Sequence, residues 1–309
     1  MPQVVSKLHS ALLLITAVIA LATGVRAEAP PQRLPSAVLI YPLIRVEGGG
    51  ATVDTRVEIV NLSRQPVDLK CIYVPQQTCS GLDFHVRLTA NQPLSWLASR
   101  GLFSGQASTA VPPFGSSGEL KCIVEPDQEG IDHHNTIQGR AAVFGADGQT
   151  VGYSAVGFLR LVDGPLENTI PLDGAIYSQC PDQQHFVFIS STGTPASESE
   201  IVIAPCSEDL ENLVAPPTTV QFEVINEFEQ HLSASTIVTC YARRTLRSIS
   251  QSFTRATLGS ETGHVIVRGV QTPVLAMLID HFETPAGAPA TAGNEPALRG
   301  GRSAEIIFP

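Results

Sequence analysis

Thr55-Arg56-Val57-Glu58-Ile59-Val60-Asn61-Leu62-Ser63-Arg64-Gln65-Pro66-Val67-Asp68-Leu69-Lys70-Cys71-Ile72-Tyr73 decides the fold class. Polar and apolar residues alternate up to Asn61. A polar turn carrying Pro66 comes next, and Val67, Leu69, Cys71 and Tyr73 then share one face. A period of two is the signature of a half-buried strand, and two such runs around a short turn predict an antiparallel hairpin. Similar runs recur at 82–88, 119–124, 141–144, 153–161, 185–189, 200–203, 219–225, 232–241, 264–267 and 273–282. With 25 Gly and 23 Pro between runs this short, long helices have little room. Ser207 followed by Glu208, Asp209 and Leu210 is the one helical start signal.

Many short, regularly spaced strands predict an all-β chain with little helix, built as two antiparallel immunoglobulin-like β-sandwich domains. The expected divisions are a signal peptide at 1–27, a linker at 28–35, one sandwich at 36–165 and a second at 166–283. A faint echo supports two modules: 55–61 leads to Cys71 as 219–226 leads to Cys240, and Gly139 and Gly263 each open a later strand pair. Residues 284–302 are rich in Pro, Gly and Ala and read as a flexible linker spanning roughly 24 Å. Residues 303–309 end the chain as one more strand. Pairing within the chain is the expectation for it, since a closed sheet edge avoids aggregation.

The start of the chain carries Lys7, an apolar run from Ala11 to Ala22, and Val25-Arg26-Ala27. A basic start, a short apolar centre and small residues before the cut are the parts of a signal peptide. The run falls short of the about 20 apolar residues that span a bilayer. The expected address is therefore secreted or periplasmic, with no membrane span after cleavage. Of 19 basic residues, losing Lys7 and Arg26 leaves 17 against 29 acidic ones, a net charge of −12. Such a chain has no electrostatic footprint for nucleic acid. Its lysines are only Lys7, Lys70 and Lys121.

Cys71, Cys79, Cys122, Cys180, Cys206 and Cys240 in an exported chain point to disulfides. Cys71–Cys79 and Cys71–Cys122 both remain open. Three cysteines fall on each side of the expected boundary at Val162–Pro165, so either each domain keeps a free thiol or one bridge crosses it. No C-x-x-C pair suggests a metal site instead.

Asn61–Tyr73, Leu88–Trp96, Gly118–Val124 and Ile225–Gln230 together resemble a group of uncharacterised secreted bacterial proteins with immunoglobulin-like domains. The order Cys71, Trp96, Cys122 is similar to the immunoglobulin one, with a longer first interval. The resemblance covers most of the chain after residue 27 and implies export and β structure, but no activity.

Candidate chemistry is sparse. Gly152-Tyr153-Ser154-Ala155-Val156-Gly157 is one residue out of register with a nucleophile elbow, which also needs a strand-to-helix turn. Asp132-His133-His134-Asn135 places two imidazoles in a polar loop without a third ligand at metal-site spacing. His281 and Glu283 share a face at a strand end and make at most half a site. Gly48-Gly49-Gly50 lacks the strand–loop–helix setting of a phosphate loop. No catalytic, cofactor-binding or metal residue is assigned, and no cofactor is expected. The expectation is a non-enzymatic binding or structural module that meets an unknown protein or surface partner. The alternative is a secreted hydrolase or metal-binding protein with a site built from dispersed loops.

Overall fold

The computed structural model describes residues 34–48, 52–103, 110–125, 135–145, 150–162, 169–192, 197–283 and 289–309. The expected signal peptide, and most of the loop holding His133 and His134, lie outside them.

The chain is all-β, but it is not two immunoglobulin-like sandwiches. Its five sheets of three or more strands are arranged as a five-bladed β-propeller. The first sheet orders Thr150–Ser154, Ile137–Phe144, Asp54–Asn61 and Pro93–Leu97. The second orders Val156–Phe158, Val38–Ile44, Gly118–Glu125, Val67–Pro75 and Leu82–Leu88. The third is small: Thr169–Leu172, Ala304–Ile307 and Glu208–Asp209. The fourth orders Ala242–Thr245, Ser197–Pro205, Val274–Glu283 and Pro289–Asn294. The fifth orders His231–Val238, Thr218–Ile225, Thr262–Gly269, Cys180–Ile189 and Ala297–Arg302. Blades draw strands from distant parts of the chain rather than from consecutive hairpins.

The expected hairpin at 55–73 is corrected by this order. Asp54–Asn61 and Val67–Pro75 belong to different sheets. Their apolar faces do not lie side by side but look at each other: Val57 and Ile59 share one core with Leu69, Cys71 and Tyr73. The turn between them is held by Asn61, whose Nδ2 donates to the carbonyls of Gln65 and Thr89 at 2.7 and 3.0 Å. Its Oδ1 accepts from the Ser63 amide at 2.9 Å. An asparagine satisfying its own loop's backbone serves a sheet crossing as well as a hairpin.

Three cores glue the sheets. The first lies between sheets one and two, where Trp96 Nε1 donates to Tyr73 Oη at 2.7 Å. The second lies between the other face of sheet two and sheet three, with Ala204 and Leu275 from sheet four. The third fills the space between sheets four and five. Val38–Ile44 is buried at every position, because both faces of sheet two are covered. Such a strand reads as a continuous apolar run, not an alternating one.

A cut near 162–165 is also overturned. Residues 31–309 form one compact unit, and the first core takes in Val202, Cys240, Tyr241, Met277 and Ile279 from the second half. Residues 289–302, read as linker, form two paired strands, Pro289–Asn294 and Ala297–Arg302. Their small residues permit close approach. A Cβ on Gly293 would stand 3.0 Å from Val151 Cγ1, and one on Gly301 2.4 Å from Gln179 Oε1. Ala304–Ile307 pairs within the chain, antiparallel to Thr169–Leu172 and parallel to Glu208–Asp209. Ser207–Leu213 therefore forms a short strand and a turn instead of a helix. Among the described residues the helices are the single turns Leu246–Ile249 and Arg255–Leu258 and the 3₁₀ turn Gln251–Phe253 between them.

All six cysteines pair: Cys71 with Cys122, Cys79 with Cys240, and Cys180 with Cys206. Cys71 and Cys122 are direct partners on adjacent strands, which excludes the Cys71–Cys79 alternative. Cys79–Cys240 is the bridge that crosses the expected boundary.

Candidate functional site

A trough of about 590 Å³ lies on the outer face of the first sheet. Alternation builds it. Val57 and Ile59 point inward to the core, which sends Glu58 and Val60 outward. Strand register then aligns neighbours: Ser95 sits opposite Glu58, Glu58 opposite Arg140, and Arg140 opposite Ser154. One row of polar side chains thus crosses all four strands. Adjacent strands lie about 4.8 Å apart, so the row spans roughly 15 Å. A second row, Pro93, Val60 and Gln138, runs beside it.

The floor is rigid. Gly139 has no room for a side chain, since a Cβ would meet Tyr41 Oη at 1.9 Å. The Tyr41 hydroxyl passes there to donate to the Glu58 carbonyl at 2.9 Å. Above the floor, Arg140 Nε donates to Glu58 Oε2 at 2.5 Å. Glu295 reaches from a distant turn so that Oε1 accepts from the Ser154 amide at 3.2 Å. The Arg140 side chain keeps 74% of its surface in water and Glu58 keeps 32%, so both retain unused hydrogen-bonding capacity. Their opposite charges balance each other.

The motifs singled out in sequence fare differently. Ser154 ends the strand Thr150–Ser154, and Val156–Phe158 follows as another strand. The strand-to-helix elbow is absent, and the serine instead lines the trough. Asn135, the residue after the His133–His134 pair in sequence, clamps Arg160: its Nδ2 donates to the Arg160 carbonyl and its Oδ1 accepts from the Arg160 amide, at 2.8 and 2.7 Å.

His281 belongs to an ionic chain, not to a site with Glu283. Its Nε2 lies 3.6 Å from Glu200 Oε2. Arg243 Nε is 2.6 Å from Glu200 Oε1, Arg243 Nη1 is 2.7 Å from Glu47 Oε1, and Arg45 Nε is 2.6 Å from that same oxygen. Hydrogen bonding from Arg45 pulls Glu47 down to about 2. Burial works against Glu200, yet hydrogen bonds from His281 and Arg243 still leave it below the usual carboxylate range. No group of three or more His, Cys, Asp or Glu among the described residues can hold a metal.

Sequence reasoning missed the trough. Each lining residue is an ordinary outward polar residue of a strand, and only the register of four strands puts them in one row.

No protein-family model matches the chain, and no curated protein matches it. Among solved structures, the PBSX exported protein XepA is 9% identical over 87% of this chain and 85% of that one, with a TM-score of 0.21. The Pleurotus ostreatus lectin in its apo form is 10% identical over 91% of this chain and 86% of that one, with a TM-score of 0.15. Likenesses at these scores carry no argument about fold or function.

Proposed function

We propose that this protein is an exported binding module that takes a polyhydroxylated ligand, a neutral oligosaccharide, across the outer face of its first sheet. The observation that carries the reading is the row Ser95–Glu58–Arg140–Ser154 over a rigid floor. A carboxylate and a guanidinium are planar groups that each engage two adjacent hydroxyls. The Gln138 amide and the two serine hydroxyls add donors and acceptors, while Val60 and Pro93 offer apolar surface to C–H groups. A few placed polar groups within an apolar surround are the usual make-up of a small-molecule site. Three disulfides support export, because such bonds persist in oxidising compartments; the basic, apolar and small-residue pattern of 1–27 supports it further.

The test is a neutral-oligosaccharide array followed by NMR titration of any hit. The expected result is chemical-shift change confined to the trough, with binding lost in Arg140→Ala and weakened at least tenfold in Glu58→Gln. Absence of any hit, or hits indifferent to both substitutions, would overturn the reading and leave a structural module.

A further inference from the structure

Between the second and third sheets lies a cluster that the trough does not use. Lys121 and Glu119, both fully buried, project from Gly118–Glu125 toward the third sheet, where Glu208 is 3% exposed. Lys121 Nζ lies 3.0 Å from Glu119 Oε1 and in direct contact with Glu208 Oε2. Glu119 Oε2 and Glu208 Oε1 are buried as well, and the two carboxyl groups hydrogen-bond each other. The surroundings are Ile72, Ile123, Leu210 and Ile306, all buried. One ammonium thus faces two carboxyl groups in a dry seam. Burying ions this way carries a desolvation cost that their mutual attraction offsets only with good geometry and full hydrogen bonding.

We propose that Lys121 Nζ and Glu208 Cδ join as an intramolecular isopeptide bond, with Glu119 as the proton-transferring acid. The ammonium proton passes along the contact to Glu208, leaving a neutral amine and a neutral carboxylic acid. The amine nitrogen attacks Glu208 Cδ, and a C–N bond forms. Glu119 gives its proton to the departing hydroxyl and regains one from the nitrogen; the C–O bond breaks and one water leaves. Nothing is oxidised or reduced, and no co-reactant is needed. Two features favour the step. Holding amine and carbonyl in contact removes most of the entropic cost of a bimolecular reaction. The neutral amide also ends the desolvation of an ion pair. Burial raises Glu119 to about 8, so it carries its proton at neutral pH as a general acid must. The bond would tie strand Gly118–Glu125 to Glu208–Asp209 and, through it, to the last strand of the chain.

The test is intact-mass spectrometry of the exported protein after full reduction, with a tryptic digest. The expected mass is one water below that of residues 28–309, the chain left after signal-peptide cleavage. Trypsin should fail to cut after Lys121, whose peptide should appear joined to the one containing Glu208. Glu119→Gln keeps the shape of the protonated acid and should restore the full mass. Glu208→Gln should condense with loss of ammonia and give the same joined product as the parent, whereas Glu208→Ala should give none. A parent chain of full mass, cut normally after Lys121, overturns the proposal even if no variant folds. A joined parent with an equally joined Glu119→Gln overturns the role of Glu119.

Discussion

The cluster around Lys121 and the chain of charges around Arg243 join strands far apart in sequence, and they differ in charge balance and in access to water. Lys121 and Glu119 have fully buried side chains and the Glu208 side chain keeps 1% of its surface. One cation there meets two acids, and burial pushes both carboxyls up. Around Arg243, whose side chain is 16% exposed, two arginines and a histidine meet Glu47 and Glu200, and Glu47 keeps 40% of its surface in water. There the partners win and both carboxyls are pulled down. The lesson is that contact with a cation does not set the sign of a carboxyl shift. The balance of desolvation against hydrogen bonds and charge does.

Removing the single cation should break this comparison most sharply. Lys121→Met leaves two buried carboxyls without a counter-charge and should cost about 3–5 kcal/mol, read as the fall in the guanidinium midpoint. Adding Glu119→Leu and Glu208→Leu should recover the part of that loss due to the uncompensated carboxyls, because a packed apolar seam does as well as a buried ionic one. A Lys121→Met protein as stable as its parent would show that Lys121 neither pairs with the two carboxyls nor is joined to one of them. Arg243→Ala comes next. It strips Glu47 and Glu200 of their shared partner and should cost about 1.5–3 kcal/mol, the usual worth of hydrogen bonds to charged groups.

Acidity sharpens the contrast without removing atoms. Glu119 sits at about 8 in the fold against an ordinary 4.5, so its contribution is full below 4.5 and lost as pH rises through about 8. Glu47 sits at about 2 against the same 4.5, so its contribution is present above 4.5 and lost as pH falls toward 2. Thermal melts across this range should decline on both flanks, and Glu119→Gln should flatten only the alkaline one. An unchanged alkaline decline in that variant would assign it elsewhere. The smallest effect belongs to an exposed pair. Arg255 and Glu261 meet at 2.5 Å but keep 52% and 72% of their side-chain surface in water, so Arg255→Ala should shift stability by less than about 1 kcal/mol.

Much of the strand content was legible because alternation is a local property. Leu82–Leu88 and Thr218–Ile225 show their burial pattern in the order of residues alone. The two asparagines of the echo also share a local role. Asn226 Oδ1 accepts from the Phe228 and Gln230 amides, each at 2.9 Å, as Asn61 does for Ser63. The path of the chain beyond each asparagine was not legible. Thr218–Ile225 continues into a true hairpin with His231–Val238, while Asp54–Asn61 hands the chain to another sheet. The strands at 289–302 escaped notice because backbone hydrogen bonds and small side chains, not alternation, hold them. The Lys121 cluster had one faint signal, a scarce lysine two residues from a glutamate on a strand. Sequence places them on one face, but not against a second sheet.

The sequence by itself determined that this chain folds as β structure and that its cysteines point to disulfides. Period-two patterning and the number of cysteines are properties of neighbours and of composition. The tertiary structure alone decided which strands share a sheet, that Cys79 reaches Cys240, that four outward side chains form one trough, and that Lys121 faces two glutamates away from water. Each of these depends on register and on face-to-face packing between segments tens of residues apart. No local pattern encodes them, because the same alternating strand can offer its polar face to solvent or to another sheet.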